Sequence, residues 1–305
     1  MRTEQRGVIT VANDAVLDWF IALVSSLRST NPGLPVTVLP FDGQVARIRD
    51  ICARMEVNFW EPTALLEQCD AIGHRVFPRR YHGTIFGRTG NFHRLCAFDG
   101  PYDNFLYLDA DTVVLSGLDK TFEACQKDQA DIVFVDRSDG WSFLPSPRKA
   151  QLLAEGAQEW CSGAFLSRRG VASVRDFSRA SRERLQQDLP VLRVKVGEQP
   201  FISWYVATAP VSAAHLPDVM NAAPAWAFQP TLARAGGLVA ADKTKPYDSY
   251  ELKILHWAGL PQPNILMPHL DRWLAARELY MDDLPVRWSS RWLPIVIPPD
   301  EPYEL

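Results

Sequence analysis

Cysteine is scarce and unpatterned in this chain of 305 residues: Cys52, Cys69, Cys96, Cys125 and Cys161 make an odd number, and no two share a C-x-x-C spacing. That argues against a disulfide framework and against a cysteine zinc site, and it fits a reducing cytoplasm. Positive charge is not in excess either, with a formal net charge of −4. No global field therefore gathers nucleic acid by counterion release. Long apolar runs are missing: no stretch approaches the ~20 residues that span a bilayer. The amino-terminal MRTEQRGVITVANDAV is too polar for a signal peptide. A soluble, cytoplasmic protein is the expectation. Neither G-x-x-x-x-G-K-[ST] nor G-x-G-x-x-G occurs, so a P-loop or dinucleotide enzyme finds no support. Internal repeats and low-complexity segments are likewise absent.

What the chain does contain is enough apolar residue, 47%, to bury a large core. Residues 7 to 60 alternate β-branched runs with helical patterns: GVITV, a helix opening at Asn13 or Asp14, VTVLPF, a second helix, then VNFW. This β-α-β-α-β rhythm predicts an α/β fold with a mostly parallel central sheet flanked by helices. Leu17, Phe20, Val24 and Leu27 share one face of the first helix, which Asn31-Pro32-Gly33 stops; Val45, Ile48, Cys52 and Met55 line the second. From 70 to 92 a polar, aromatic and basic stretch reads as a loop, followed by a short helix near Arg94 to Phe98. The strand FLYLDAD comes next, then DIVFVD (131 to 136), WCSGAFLS (160 to 167) and a charged helix from about 171 to 188. The pattern divides the chain into a main domain, 1–264, and a C-terminal extension, 265–305, with an amphipathic helix around Leu270 to Tyr280 that packs back on the domain.

The segment FLYLDADTVVL, 105 to 115, carries the chemistry. If strand geometry persists through it, Asp109 and Asp111 point to one side. In open α/β sheets ligands bind beyond the carboxyl ends of strands. Two adjacent carboxylates repel unless a hard divalent cation or a basic group lies between them. Solvated turn acids are the plain alternative, but the apolar run resumes in VVL and favours a ligand site. D-A-D-T-V also fits the first motif of haloacid-dehalogenase-type phosphatases, with Asp109 as nucleophile. Those enzymes usually carry it on their first strand and need a later acidic pair; here Asp282-Asp283 follows a helix-like RWLAARELY, and this reading falls behind.

Taken with the rest of the chain, LYLDADTVV resembles the D-x-D motif of GT-A-fold glycosyltransferases, in particular glycosyltransferase family 8, the family of glycogenin and bacterial galactosyltransferases. Further matches follow in order: VITVAND (8 to 14), Arg94-Leu95, Cys161-Ser162-Gly163, Glu198-Gln199, LPDVMN (216 to 221) and LHWAG with His256. The resemblance implies that Asp109, Asp111 and His256 hold Mn²⁺ or Mg²⁺, which suits two carboxylates and an imidazole. It implies a nucleotide-sugar donor, a UDP-hexose first among them, lined by Ala12, Asn13, Ala110, Ser162, Gly163 and Gly259. Arg94 and Arg88 would add charge-assisted hydrogen bonds to its phosphates or sugar. Glu198 and Gln199 would lie near the reacting carbon, and transfer to a glycan, lipid or small-molecule acceptor would retain anomeric configuration by same-face displacement.

Three departures from the family pattern surround this site. The acid that reads uracil aligns with Ala12 or Asn13, the usual Asn of the small-residue element is Cys161, and the Lys that often follows the metal His is replaced near Gln262. They raise a second hypothesis, a catalytically silent relative that binds nucleotide-sugar or glycan. In the tail, Arg272-Trp273, Arg287-Trp288 and Arg291-Trp292 pair base with aromatic, which suits peripheral contact with a membrane surface; packing of the tryptophans on the domain is the favoured reading. His74, His82, His93, His215 and His269 lack metal-like spacing and receive no role.

Overall fold

The computed structural model describes residues 5–77, 88–220, 222, 225, 227, 231–234, 237–240, 251–260 and 262–280. In chain order it runs β1 (Arg6–Ala12), α1 (Leu17–Thr30), β2 (Val36–Pro40), α2 (Ala46–Arg54), β3 (Asn58–Phe59) and α3 (Thr63–Val76), the rhythm the first sixty residues predict, extended by one helix. The stretch from 70 that reads as a loop begins inside α3, whose Leu66, Cys69, Ile72 and Val76 are buried. A 3-10 helical segment, Thr89–Asp99, replaces the expected short α-helix. Beyond it come β4 (Asn104–Leu108), β5 (Thr112–Val114), α4 (Asp119–Asp128), β6 (Ile132–Phe134), α5 (Pro147–Ala154), β7 (Ala164–Arg168), α6 (Val174–Glu183), α7 (Gln199–Thr208), β8 (Ala213–His215), α8 (Leu216–Val219), β9 (Thr231–Arg234), β10 (Gly237–Ala240), β11 (Ile254–His256) and α9 (Leu270–Glu278). The charged helix expected over 171 to 188 is thus shorter, and 3-10 turns complete its span.

Seven strands form the main sheet in the order β3-β2-β1-β4-β7-β6-β8. Every neighbouring pair is parallel except those made by β7, which runs antiparallel to β4 and β6. Helices cover both faces, so strand residues feed two apolar cores by strict alternation. Leu106 and Leu108 join one core, with Val8 and helix α1; Phe105 and Tyr107 join the other, with Ile9 and the 3-10 segment. This is why the central strands are continuous apolar runs and not alternating ones.

The chain leaves β1 for β2 on one side and returns to β4 on the other. That reversal opens a crevice beyond the carboxyl ends of β1 and β4, the place where such sheets bind ligands. A small antiparallel ribbon, β5 with β11, stands beside it, and its register sets His256 opposite Thr112. The Trp257 N–H donates to the Asp111 carbonyl at 3.0 Å and completes the junction. A residue 145 positions beyond Asp111 is thereby held next to it by backbone bonds alone.

Helix α9 lies on α1. Trp273 is wholly buried with its ring 5.7 Å from that of Trp19, and the Arg277 guanidinium meets Asp18 Oδ1 at 3.2 Å in a buried ion pair. The other two Arg-Trp pairs of the tail, and Asp282-Asp283, lie outside the described residues. Among the described residues no helix is long and apolar enough to cross a membrane. Replacement of Trp273 by Ala should lower stability by ~3–5 kcal/mol, the cost of emptying a buried aromatic site. Urea unfolding followed by circular dichroism checks it; a loss below ~1 kcal/mol would show that α9 contributes little to the domain.

Candidate functional site

Strand β4 stops at Leu108 and β5 starts at Thr112, so the condition of unbroken strand geometry through Asp109 and Asp111 is not met. The carboxylates converge because the chain turns between them. The Asp109 N–H donates to the Gly163 carbonyl at 2.7 Å, and the Thr112 hydroxyl donates back to the Asp109 carbonyl. A local bend, anchored on both sides, replaces the pleat.

His256 closes the arrangement. Its Nε2 stands 3.4 Å from Asp111 Oδ1 and 3.7 Å from Asp109 Oδ2, and the three ligand atoms lie within 4.8 Å of one another. The ring is buried, yet neither nitrogen makes a well-formed hydrogen bond among the described residues. A buried imidazole without such a bond is costly, whereas one nitrogen and two carboxylate oxygens are the donor set of a hard or borderline divalent cation. Gly163 makes the room: a Cβ there would sit 2.1 Å from His256 Cε1 and 2.9 Å from Asp109 Oδ2. The residues present therefore fit Mn²⁺ or Mg²⁺. Burial works against a charged His256, but the Asp111 carboxylate outweighs it and pushes the imidazole well above the ordinary histidine range. A bound cation would displace that proton.

Behind the carboxylates lies Arg94, carried on the 3-10 segment and buried. Its guanidinium meets Asp109 Oδ1 at 3.1 Å and Glu198 Oε1 at 2.9 Å, and donates to the Ser162 carbonyl at 2.9 Å. Burial opposes its charge, but Asp109 and then Glu198 hold it above the usual arginine range, so it is a permanent cation. Burial also pushes the Asp109 carboxyl up; Arg94 pulls against this and Asp111 adds to it. Glu198 is raised by burial in the same way, again opposed by Arg94. The Ser162 hydroxyl donates to Glu198 Oε1 at 2.5 Å. Arg94 thus braces carboxylates of this protein, beside the contacts to a ligand's phosphates or sugar that the family resemblance implies for it.

Asp109, Asp111, His256, Gly163, Ser162, Arg94 and Glu198 form one contiguous cluster. Ala110 is buried between the two aspartates. Ala12 is buried at the end of β1, and Asn13 is committed there: its Oδ1 accepts the Ala15 N–H at 3.1 Å and its Nδ2 donates to the exposed Asp42 at 2.7 Å. Gln199 opens α7, donating to Ser138 Oγ at 3.0 Å. Arg88 is exposed at the start of the 3-10 segment, and Gly259 takes a left-handed φ of 88° in the turn after His256. No contact ties these last three to the cluster among the described residues.

Sequence reasoning passed over Tyr107, whose hydroxyl donates to Asp109 Oδ1 at 2.7 Å and whose ring lies under Arg94. Its place two residues before Asp109 was the available signal. Asp136 had none, because it reaches the site from the end of β6. Substituting Gly163 by Ala should cost ~1–3 kcal/mol through overpacking, while Gly117→Ala, which meets nothing within 4 Å, should change stability by under ~1 kcal/mol. Paired urea titrations measure both; equal effects would mean that His256 and Asp109 move aside freely.

No family model and no curated protein matches the chain. Its fold is nevertheless similar to solved glycosyltransferases. The galactosyltransferase LgtC, in complex with donor and acceptor sugar analogues, matches 89% of this chain and 95% of its own with a TM-score of 0.55 at 14% identity. Mouse xyloside xylosyltransferase 1 in its apo form matches 83% of this chain and 98% of its own, with a TM-score of 0.53 at 13% identity. The apo bifunctional glycosyltransferase WbbM matches 91% of this chain and 51% of that longer one, with a TM-score of 0.54 at 13% identity. These structural neighbours are GT-A glycosyltransferases, and the α/β architecture with its mostly parallel seven-stranded sheet is theirs.

Proposed function

We propose that this chain is a metal-dependent glycosyltransferase that moves a hexose from a nucleotide-diphosphate sugar, a UDP-hexose first among candidates, to a glycan, lipid or small-molecule acceptor with retention of configuration. One observation carries the reading. Asp109, Asp111 and the buried, poorly bonded imidazole of His256 converge at the crevice beyond β1 and β4. A bound divalent cation would supply Lewis-acid stabilisation to the departing diphosphate. The likeness in fold to LgtC, solved with donor and acceptor sugar analogues, supports a sugar donor and a sugar acceptor as substrates.

The chain's own residues would act as follows. Tyr107 and Arg94 fix the Asp109 carboxylate, and the β5–β11 register fixes His256. The sugar's anomeric carbon breaks from the phosphate oxygen while the acceptor oxygen bonds to it on the same face, and the acceptor's proton passes to the departing oxygen. The Gln199 carboxamide is the group assigned to the positive charge that grows at this carbon, and electrostatic stabilisation of that kind is worth ~10²–10³ in kcat. Glu198, buried against Arg94 and Ser162, positions and balances charge. The phosphatase reading is disfavoured: Asp109 Oδ1 already bonds Tyr107 and Arg94, a poor state for a nucleophile.

Thermal melting with a panel of nucleoside diphosphates and their sugars, with Mn²⁺ or with EDTA, tests the site. Stabilisation should require nucleotide and metal together, reach ~2.7 kcal/mol at a hundredfold excess over Kd, and vanish in Asp111→Asn; no shift with any nucleotide would sink the reading. Release of free nucleotide then separates an enzyme from a silent binder, with the product's anomeric proton resonance reporting retention. In the active protein, Gln199→Ala should lower kcat by ~10²-fold or more with the KM for the sugar donor little changed.

A further inference from the structure

His256 belongs to a second group of ligating side chains. Asp136, Cys161 and His256 also present one ligand atom each within 4.8 Å of one another, two of the three residues being buried and Cys161 half-buried. They come from three separate places: the loop after β6, the approach to β7, and the end of β11. Backbone bonds hold the group together. The Cys161 N–H donates to the Asp136 carbonyl at 3.1 Å, the Ala225 N–H donates to Asp136 Oδ1 at 2.7 Å, and the His256 N–H donates to the Ala225 carbonyl at 2.8 Å. The imidazole that the two groups share is buried, and neither of its nitrogens makes a well-formed hydrogen bond among the described residues.

The two groups differ in chemistry. Two carboxylates and an imidazole suit a hard cation, while sulfur, imidazole and one carboxylate suit a thiophilic one. Tetrahedral zinc with bonds of ~2.0–2.3 Å sets its donor atoms roughly 3.5 Å apart, a spacing that lies inside the 4.8 Å limit within which these three donor atoms fall, and water would take the fourth position. We infer that Asp136, Cys161 and His256 form a second, thiophilic metal site that binds Zn²⁺-class ions and shares its imidazole with the Asp109–Asp111 pair. The cysteine binds as thiolate, releasing its proton to solvent. A neutral imidazole offers one lone pair, so the two sites cannot both use His256. Zinc bound at the second site excludes the sugar donor's cation from the first. That exclusion rests on the proposed hard-cation site, whereas the thiophilic site does not.

Cobalt tests the site on the full chain. Titration of the reduced, metal-free protein with Co²⁺ should raise a near-ultraviolet sulfur-to-cobalt charge-transfer band that saturates at one ion per chain and is bleached by Zn²⁺. The band should be lost in Cys161→Ser and in His256→Ala, and kept in Asp111→Asn, with circular dichroism confirming that each variant folds. Mn²⁺ binding, followed by the loss of its free electron paramagnetic resonance signal, reports the first site separately. A protein that takes up Mn²⁺ but shows no cobalt–thiolate band, or a band that survives Cys161→Ser, overturns the second site. A band that behaves as stated in a protein that binds no Mn²⁺ supports the thiophilic site while removing the hard-cation reading.

Discussion

The buried guanidinium of Arg94 is the constraint on which the rest of the site depends. Taking such a cation out of water costs several kcal/mol, and only close anionic partners offset it. Asp109 and Glu198 are those partners, one from the break between β4 and β5 and one from the start of α7. The segment that carries Arg94 is itself unusual, an eleven-residue 3-10 helix where runs beyond three or four residues are uncommon. Two anchors keep it close to β2 and α3. Gly90 approaches the Phe41 carbonyl so closely that a Cβ would stand 2.1 Å from it. His93 bridges the Pro40 carbonyl, at 2.6 Å, and Asp70, at 3.2 Å.

Charge balance then explains why a divalent cation fits in front of this cluster. Asp109, Asp111 and Glu198 bring three carboxylates, and Arg94 answers one of them. Two negative charges remain in a poorly solvated place, where interactions between charges are strongest. In the metal-free protein the Asp111 carboxylate favours a proton on His256, which would relieve part of this. A cation that takes two carboxylate oxygens and the imidazole relieves more, and it releases the proton. Arg94 and a bound cation would therefore be complementary, the permanent charge behind and the exchangeable one in front.

The sequence made some of this legible for physical reasons and hid the rest for others. Strand alternation and helix periodicity are local, so Val8 and Ile9 fall to opposite cores while Leu17 and Phe20 share one. Asp109 and Asp111 are visible because charged residues interrupt an apolar run. His256 is visible only through its neighbours Trp257 and Gly259 and the resemblance they carry; its approach to Asp111 depends on the register of β5 with β11, which no local pattern specifies. Helix α3 reads as loop from residue 70 because its polar residues Asp70, His74 and Arg75 mask the spacing of the buried Cys69, Ile72 and Val76. The bend at Asp109 could not be seen either, since the Gly163 carbonyl that holds it lies 54 residues away.

The run Cys161-Ser162-Gly163 joins the two halves of the site. Gly163 lies against His256 and Asp109, and Cys161 places its sulfur among the ligand atoms around the same imidazole. Ser162, between them, turns the other way and bonds both Arg94 and Glu198. Neighbouring residues of the turn that leads into β7 thus serve the candidate ligand side and the guanidinium side. The backbone at 163 also fixes Asp109 through its carbonyl. A shift of this stretch by one residue would break both sets of contacts, withdrawing the Gly163 carbonyl from Asp109 and the Ser162 hydroxyl from Glu198. Antiparallel pairing of β7 with β4, Ala164 opposite Leu108, is what prevents it. The one antiparallel strand of an otherwise parallel sheet is therefore the element that aligns the candidate ligand residues with the buried charge pair.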